Sequence, residues 1–145
     1  MVTIEKINSD DLIELSNLFI ELSGNKTNME KMKENYDWIN TNPDYILIGA
    51  KDDKKNLVGS LLGIACHDVV GECRPFMVIE NVIVKSNCRG LGIGKKLMNF
   101  IEDYCRKRKC YYIIFVSSKN RKESHKFYES LGYDINAVQG FKKYL

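Results

Sequence analysis

The stretch "FMVIENVIVKSNCRGLGIGKKLM", residues 76–98, decides the fold of this chain. It begins as an apolar strand, passes through Gly90, Gly92 and Gly94 at alternate positions, and ends in a helical pattern after two lysines. A strand followed by a glycine turn and a helix start leaves several main-chain N–H groups without partners, and these groups can converge on an anion. The stretch therefore predicts a phosphate-binding turn.

Spacing separates the phosphate-binding motifs that compete for this turn. A Walker loop requires a glycine five residues before the Gly-Lys pair and Ser or Thr after it, and here Arg89 and Lys96 occupy those places. A Rossmann fingerprint requires GxGxxG near the start of a βαβ unit, whereas this turn is GxGxG and follows an antiparallel pattern. Both motifs are excluded.

Length and composition limit the architecture and the partners. A chain of 145 residues, 44% hydrophobic and 28% charged, predicts one domain over residues 1–145. The net charge of +3 is spread along the chain, so we expect neither a nucleic-acid nor a membrane partner. No leader pattern or run of roughly 18 apolar residues occurs. With five cysteines and no CxxC pair, the sequence predicts a cytoplasmic protein with reduced thiols and no metal.

Hydrophobic periodicity predicts the elements on both sides of the turn. The expected order is β-α-α-β-β-β-α-β-α-β-β, an α/β (α+β) domain with a mixed, mostly antiparallel sheet flanked by helices. The strand "CYYIIFVS" is expected to be buried. The predicted elements are strand 2–7, helix 12–22, helix 28–40, strands 44–51, 56–69 and 76–84, helix 93–109, strand 110–117, helix 124–131, and short strands near 133–135 and 141–145.

The spacing Arg89-x-x-Gly92-x-Gly94 resembles the Q/R-x-x-G-x-G/A pyrophosphate loop of the GNAT superfamily of N-acetyltransferases. The resemblance extends to "ENVIV" on the preceding strand, to "SHKFYESLGYD" downstream, and to the element order of nearly the whole chain. The chain looks most like small single-domain members that acetylate free amines. The resemblance implies the acyl-CoA N-acyltransferase fold, acetyl-CoA as cosubstrate and a small-molecule amine as acceptor, and it is compatible with a homodimer.

The resemblance also implies contacts with coenzyme A. Main-chain groups of residues 90–95 would bind the pyrophosphate, and the backbone of residues 82–84 would pair with the pantetheine arm as an extra strand. For that arm to enter, the strand containing Val84 must splay from the strand containing Val116. The implied cofactor-binding residues are Val82, Ile83, Val84, Arg89, Gly90, Leu91, Gly92, Ile93, Gly94, Lys95, Asn120 and Arg121.

The last two of these residues mark a departure from the family. Members often have Asn seven residues before a conserved tyrosine, and here that position is Arg121, with Asn120 one place earlier. Either residue is a candidate contact. The tyrosine itself corresponds to Tyr128, whose hydroxyl the resemblance implies to lie near the sulfur of coenzyme A, as the acid for the leaving thiolate. Its alternative is a core aromatic, because it shares an apolar face with Phe127 and Leu131.

Acetylation of an amine requires the loss of a proton. An alkylammonium group has a pKa of roughly 10.4, so presenting it neutral at pH 7 costs about 4.6 kcal/mol, and a positioned base helps. Glu80 is the candidate, because it interrupts an otherwise apolar strand where a carboxylate is costly unless paired or used. Its alternative is a carboxylate that faces solvent or makes a structural salt bridge.

Three other functions remain to be weighed. A module that binds coenzyme A without catalysis would share the glycine turn, and a peptide or protein acceptor would require an open groove. A nucleic-acid binder would use the basic runs "RKRK" and "KNRK", but these lack interleaved aromatic residues.

The remaining histidines and aromatic residues have structural interpretations. His67 is expected at the end of a strand and His125 at a surface. Phe19, Tyr36 and Trp38 are expected in the core.

Overall fold

Five strands and four helices follow one another in a computed structural model that describes all 145 residues. The chain divides into a first unit, Met1–Ile114, and a second unit, Phe115–Leu145. The elements are β1 Thr3–Lys6, α1 Leu12–Ser23, α2 Met29–Thr41, β2 Tyr45–Lys51, β3 Leu57–Cys66, β4 Phe76–Val84, α3 Ile93–Lys107 and β5 Ile113–Ile114 in the first unit, and α4 Lys122–Ser130 in the second.

The sheet has the strand order β1-β2-β3-β4-β5. The first three pairs are antiparallel, and β4 pairs with β5 in parallel. The predicted mixed, mostly antiparallel sheet is therefore confirmed. None of the helices is long and apolar enough to cross a membrane.

Helices cover both faces of this sheet. On one face, α1 and α2 bury Leu15, Leu18 and Tyr36 in a cluster that includes Ile83 of β4. Successive residues of a strand point to opposite faces, so the other face of β3 carries Gly59 and Gly63. A Cβ at Gly63 would lie 2.9 Å from the Ile101 side chain, so glycine lets α3 approach the sheet closely.

A bulge interrupts β4 in its middle. Leu62 pairs with Glu80 and Ser60 pairs with Ile83, so β4 has one residue more than β3 between these pairs. Asn81 adopts φ 55°, a left-handed conformation that asparagine tolerates better than most residues. The extra residue switches the faces of the strand, and Ile83 consequently packs on the α1 side.

Several predicted elements differ from the structure. No strand forms near 133–135 or 141–145, because Ile135 and Phe141 are exposed and bury too little apolar surface to hold one. The expected buried strand 110–117 is reduced to Ile113–Ile114, and β3 ends at Cys66 rather than at residue 69.

Two smaller expectations are also wrong. The spacing of Thr27 and Glu30 is a capping-box pattern that predicts Thr27 as the N-cap of the second helix, but the cap is Asn28, whose side chain accepts the Lys31 N–H. Trp38 lies outside the core and is 55% exposed, with its ring edge-on to Tyr45 at 5.1 Å between centroids. Tyr36 is buried as expected, and Phe19 is half-buried against the same cluster.

Candidate functional site

The glycine turn joins β4 to α3 and has the backbone shape that its glycines allow. Gly90 and Gly92 adopt φ 78° and 76°, and no atom lies within 4 Å of the place where a Cβ would be. Left-handed backbone of this kind favours glycine, since other residues lose roughly 1–2 kcal/mol there. Gly94 lies within the first turn of α3. Two of the three glycines therefore set the turn.

The turn presents a row of unused hydrogen-bond donors. The first backbone bond of α3 runs from the Lys96 N–H to the Gly92 carbonyl at 3.1 Å. The N–H groups of residues 90–95 have no acceptor in the protein, and Gly92 provides no side-chain cap. These donors lie at the positive end of the helix dipole, where an anion is stabilised.

The two lysines after the turn differ in their surroundings. The Lys96 ammonium donates to the Val2 carbonyl at 3.3 Å and thereby holds the N-terminal segment. Lys95 is exposed and makes no hydrogen bond or ion pair. Lys95 is therefore the lysine whose charge is free to act at the turn.

Arg89 links the glycine turn to β4 and to α1. Its Nε donates to the Val84 carbonyl at 3.1 Å, and its guanidinium lies 3.9 Å from the Glu21 carboxylate of α1. Glu21 also accepts the Ser86 N–H at 2.9 Å. Sequence analysis missed Glu21, because no local pattern links a residue of α1 to a turn 65 positions away. α1 therefore fixes the start of the glycine turn.

One edge of β4 is largely without a partner strand. β5 pairs only with Met77 and Val78, and β3 occupies the opposite edge of β4. Beyond Val78, the edge of β4 as far as Val84 has no neighbouring strand in the sheet. Val116, expected in the adjoining strand, lies outside β5 and is exposed. The free edge includes residues 82–84, which the resemblance assigned to the pantetheine arm.

Glu80 lies on the surface and not in a buried strand. Its side chain is exposed and makes no hydrogen bond or ion pair, so the argument from the cost of burial is wrong. Glu80 stands directly before the bulge, and Asn81 beside it is exposed as well. An exposed carboxylate with no structural partner is nevertheless available to accept a proton.

Tyr128 occupies the middle of α4 in the second unit. Its ring packs on Phe115 and Phe127, at 4.6 and 5.2 Å between centroids. Burial raises the pKa of its phenol, and the charge of Arg121 opposes that shift only in part. The hydroxyl makes no hydrogen bond to the protein. Tyr128 is therefore a packed aromatic that also carries a protonated, unpartnered hydroxyl at neutral pH.

The residues before α4 form a turn. Arg121 donates its N–H to the Ser118 carbonyl at 3.0 Å and stands at the N-cap of α4. Asn120 precedes it and is exposed. His125 lies one turn into the helix, where its Nε2 is 3.0 Å from the Ser118 carbonyl. His125 thus stabilises the turn, as a structural residue does.

A further polar group ties together three elements of the first unit. Asp44 accepts from Arg108 at 2.8 Å and lies 3.0 Å from His67 Nε2. Hydrogen bonds from His67 and then from Arg108 lower the pKa of Asp44 below its usual value. His67 follows the last residue of β3, as expected, and its role is to pair with this carboxylate.

Comparison with known proteins identifies the family of this arrangement. The model of the acetyltransferase (GNAT) family matches residues 12–133, which is most of the chain. Among curated proteins, the glucosamine 6-phosphate N-acetyltransferase of Arabidopsis thaliana is 38% identical over 61 residues, or 42% of this chain and 39% of that protein. The matches with this protein and with two other curated relatives span 39% to 54% of the length of those proteins.

Solved structures share the fold over the full chain. The crystal structure of the Arabidopsis glucosamine-6-phosphate N-acetyltransferase has a TM-score of 0.87 at 22% identity and covers 99% of both chains. A structure of AAC(6')-Iy, solved in complex with a bisubstrate analogue that contains coenzyme A, has a TM-score of 0.83 at 18% identity and covers 100% and 99% of the two chains. The predicted fold class is thereby confirmed.

Proposed function

The chain belongs to the acetyltransferase (GNAT) family, and from that premise we propose that it transfers the acetyl group of acetyl-CoA to a primary amine of a small molecule. The proposal treats residues 1–145 as one N-acetyltransferase domain. The acceptor amine attacks the acetyl carbon directly while both substrates are bound. No covalent enzyme intermediate takes part, and Cys88 beside the turn therefore needs no catalytic role.

The row of free N–H groups at residues 90–95 carries this proposal. The diphosphate of coenzyme A is an anion that matches several converging donors at a helix start. Gly90 and Gly92 leave open space on the turn, so that phosphate oxygens can approach the backbone closely. Lys95 adds a positive charge that no residue of the protein neutralises.

The free edge of β4 supports a place for the pantetheine arm. Residues 82–84 have no strand beside them on that edge, so their backbone groups are available to an extended ligand. The Val84 carbonyl already accepts from Arg89, which leaves it one further lone pair for a ligand. Binding along this edge would add one more strand to the sheet, as extended peptides do in other proteins.

The chemical roles stay with the residues that sequence analysis named. Glu80 would accept the proton of the amine through a water molecule, and its exposure makes the carboxylate reachable from solvent. Tyr128 would donate a proton or a hydrogen bond to the leaving thiolate, and its raised pKa keeps the phenol protonated at neutral pH. Asn120 and Arg121 both remain candidate contacts for coenzyme A.

A small-molecule acceptor is favoured by the names of the similar proteins. Those names include a glucosamine 6-phosphate N-acetyltransferase and an enzyme solved with an acetylneamine bisubstrate analogue. A peptide acceptor and a module without catalysis are the alternatives. The first would use the same turn and differ only in the acceptor, and the second would bind acetyl-CoA without turnover.

A coenzyme A release assay over amino sugars, aliphatic amines, polyamines and peptides tests the proposal. We expect acetyl-CoA-dependent release with at least one small amine and little with peptides. Turnover with peptides alone would favour the alternative acceptor. Binding of acetyl-CoA by calorimetry without release for any amine would favour the non-catalytic module, and no binding would contradict the proposal itself.

Two substitutions test the chemical roles in the same assay. Glu80→Gln removes the base and should lower kcat by roughly 10²-fold near neutral pH, the lower end of the range for general base catalysis. Tyr128→Phe should lower kcat while the affinity for acetyl-CoA is retained. Full turnover in either variant would exclude that residue from the mechanism. It would not contradict the proposed binding of coenzyme A at the glycine turn.

A further inference from the structure

The C-terminal end of α3 closes with a backbone bond between two cysteines, Cys105 and Cys110. The Cys110 N–H donates to the Cys105 carbonyl, and the Lys109 N–H donates to the Arg106 carbonyl, both at 3.0 Å. Lys109 has φ 58°. These bonds define a Schellman motif, in which the residues at the positions of Cys105 and Cys110 normally make an apolar contact. Here both of those positions are cysteine.

The two thiols differ in exposure. Cys105 is 4% exposed, and Cys110 is half-buried. Burial, and after it the neighbouring Cys110 thiol, raises the pKa of Cys105 to about 12. Cys105 thus stays a thiol at neutral pH. Cys110 is the sulfur that a reagent from solvent reaches first.

We propose that Cys105 and Cys110 form a redox-active dithiol that hydrogen peroxide oxidises to an intramolecular disulfide. Cys110 sulfur first attacks one peroxide oxygen, and the products are a sulfenic acid and water. Cys105 sulfur then attacks the Cys110 sulfur, the S–S bond forms, and the hydroxyl leaves as water with the proton of Cys105. Two thiols lose two electrons, and the peroxide is reduced to two waters.

The other cysteines lack such a partner. The Cys66 thiol donates to the Ile64 carbonyl, the Cys73 thiol to the Gly71 carbonyl, and the Cys88 thiol to Asn87 Oδ1. Each of these sulfurs is therefore bonded within its own segment and faces no second cysteine. They serve as internal controls for oxidation of the pair, which rests on the end of α3 and is independent of the proposed acetyltransferase function.

Four basic residues between the two cysteines make the disulfide easy to detect. Trypsin cleaves after residues 106–109, so it separates a peptide 97–106 that carries Cys105 from a peptide 110–119 that carries Cys110. The full-length protein is treated with hydrogen peroxide, free thiols are alkylated under denaturing conditions, and the digest is analysed without reduction. A disulfide between the two cysteines holds these peptides together.

We expect the linked pair of peptides 97–106 and 110–119 after peroxide treatment, and its loss after reduction. Because the Schellman motif brings the two positions together, this link should exceed any link to Cys66, Cys73 or Cys88 at least about tenfold. Recovery of both peptides alkylated and unlinked, while other cysteines have been oxidised, would overturn the proposal. Preferential linkage of Cys110 to another cysteine would overturn it equally.

Matched variants separate the pair from general thiol chemistry. Cys110→Ser should abolish the link and leave Cys105 alkylatable, whereas Cys73→Ser at an exposed, unpaired position should leave the link unchanged. Circular dichroism of each variant verifies that it is folded. If Cys110→Ser proved unfolded, Cys110→Ala or oxidation of the wild type with oxidised glutathione would decide the same question.

Discussion

The two ends of α3 treat their backbone groups in opposite ways. At the C-terminal end, Cys110 and Lys109 donate back to carbonyls of the last turn, and Arg108 donates to Asp44 and to the Pro43 carbonyl. At the N-terminal end, the N–H groups of residues 90–95 have no acceptor in the protein. The fold completes one end of the helix from its own residues and leaves the donors at the other end without an acceptor, which is where we propose that the diphosphate of acetyl-CoA binds.

Charge strengthens the same contrast. The last turn of α3 contains Arg106 and Lys107, whose positive charges complement the negative end of the helix dipole at its C-terminus. The first turn contains no acidic residue, although Asp or Glu there would neutralise the helix dipole. Lysines follow the turn instead. A protein that needed only a stable helix would gain from an acidic residue at this end, so its absence is consistent with an anion supplied by a ligand.

The largest effect is expected from a substitution in the glycine turn at the N-terminal end of α3, where the N–H groups have no acceptor in the protein. Gly92→Val places a branched side chain on the left-handed turn that we propose contacts the diphosphate, so the affinity for acetyl-CoA should fall about 100-fold, or about 2.8 kcal/mol. Calorimetric titration measures the dissociation constant. The matched control is Gly24→Val, because Gly24 also has φ 76° and open space but lies at the end of α1. Equal affinity in both variants would contradict the account.

The support behind the turn should have the next largest effect. Glu21→Ala removes the acceptor of the Ser86 N–H and the partner of Arg89, and acetyl-CoA should bind about tenfold more weakly, or about 1.4 kcal/mol. Glu14→Ala is the control, since Glu14 lies on the same helix and accepts the Leu57 N–H at 2.6 Å. It should lower stability but leave the affinity unchanged. A loss of affinity in both variants would mean that α1 acts only through stability.

A substitution at the C-terminal end of α3 should change the stability of the protein but not its affinity for acetyl-CoA. Arg108→Gln removes hydrogen bonds to Asp44 and the Pro43 carbonyl, and the free energy of unfolding should fall by about 1 kcal/mol. Urea unfolding measures this change, and a titration with acetyl-CoA should give the wild-type affinity. Weaker acetyl-CoA binding would show that the two ends of α3 are coupled.

A gain of stability is expected one residue further on. Lys109 carries a left-handed backbone with φ 58° at a position where glycine is normally found. Lys109→Gly relieves that strain, but glycine costs more entropy to order, so the two effects partly cancel. The net result should be a rise in the free energy of unfolding of about 0.5 kcal/mol. No change or a loss in urea unfolding would mean that the lysine side chain contributes more than its backbone costs.

The smallest effect concerns pH at the closed end. Hydrogen bonds from His67 and Arg108 lower the pKa of Asp44, so the carboxylate stabilises the folded state above its unfolded pKa of 3.8. That contribution is lost as pH falls through the lower, folded pKa. Asp44→Asn should therefore flatten the dependence of unfolding free energy on pH below 3.8. An unchanged slope would show that the three groups do not interact in solution.

Local periodicity predicted the elements that pack against the sheet. Leu97 and Ile101 are fully buried, and their spacing of four marked the buried face of α3. The C-terminal strands were wrong because apolar composition alone does not supply a surface to pack on, and Val138 and Phe141 remain exposed. Tyr111 was expected in a buried strand, but it is exposed beside Arg74, whose guanidinium lies 5.4 Å from the centroid of its ring.

The candidate site was predictable where it depends on neighbouring residues. Gly90 and Gly92 are separated by a single residue, so their spacing alone predicted the turn whose left-handed backbone the structure shows at both glycines. Glu21 and the bulge at Asn81 depend on contacts between distant segments, and no local pattern announces them. The exposure of Glu80, directly before that bulge, likewise depends on how distant segments pack and was missed for the same reason.

An NMR titration with acetyl-CoA tests the central claim most directly, with S-acetylpantetheine, which lacks the diphosphate, as the matched ligand. The account predicts that acetyl-CoA shifts the backbone amide resonances of residues 90–95 and that S-acetylpantetheine leaves them nearly unchanged. Amides that stay unshifted at saturating acetyl-CoA, or that respond equally to both ligands, would contradict the binding of the diphosphate at the start of α3.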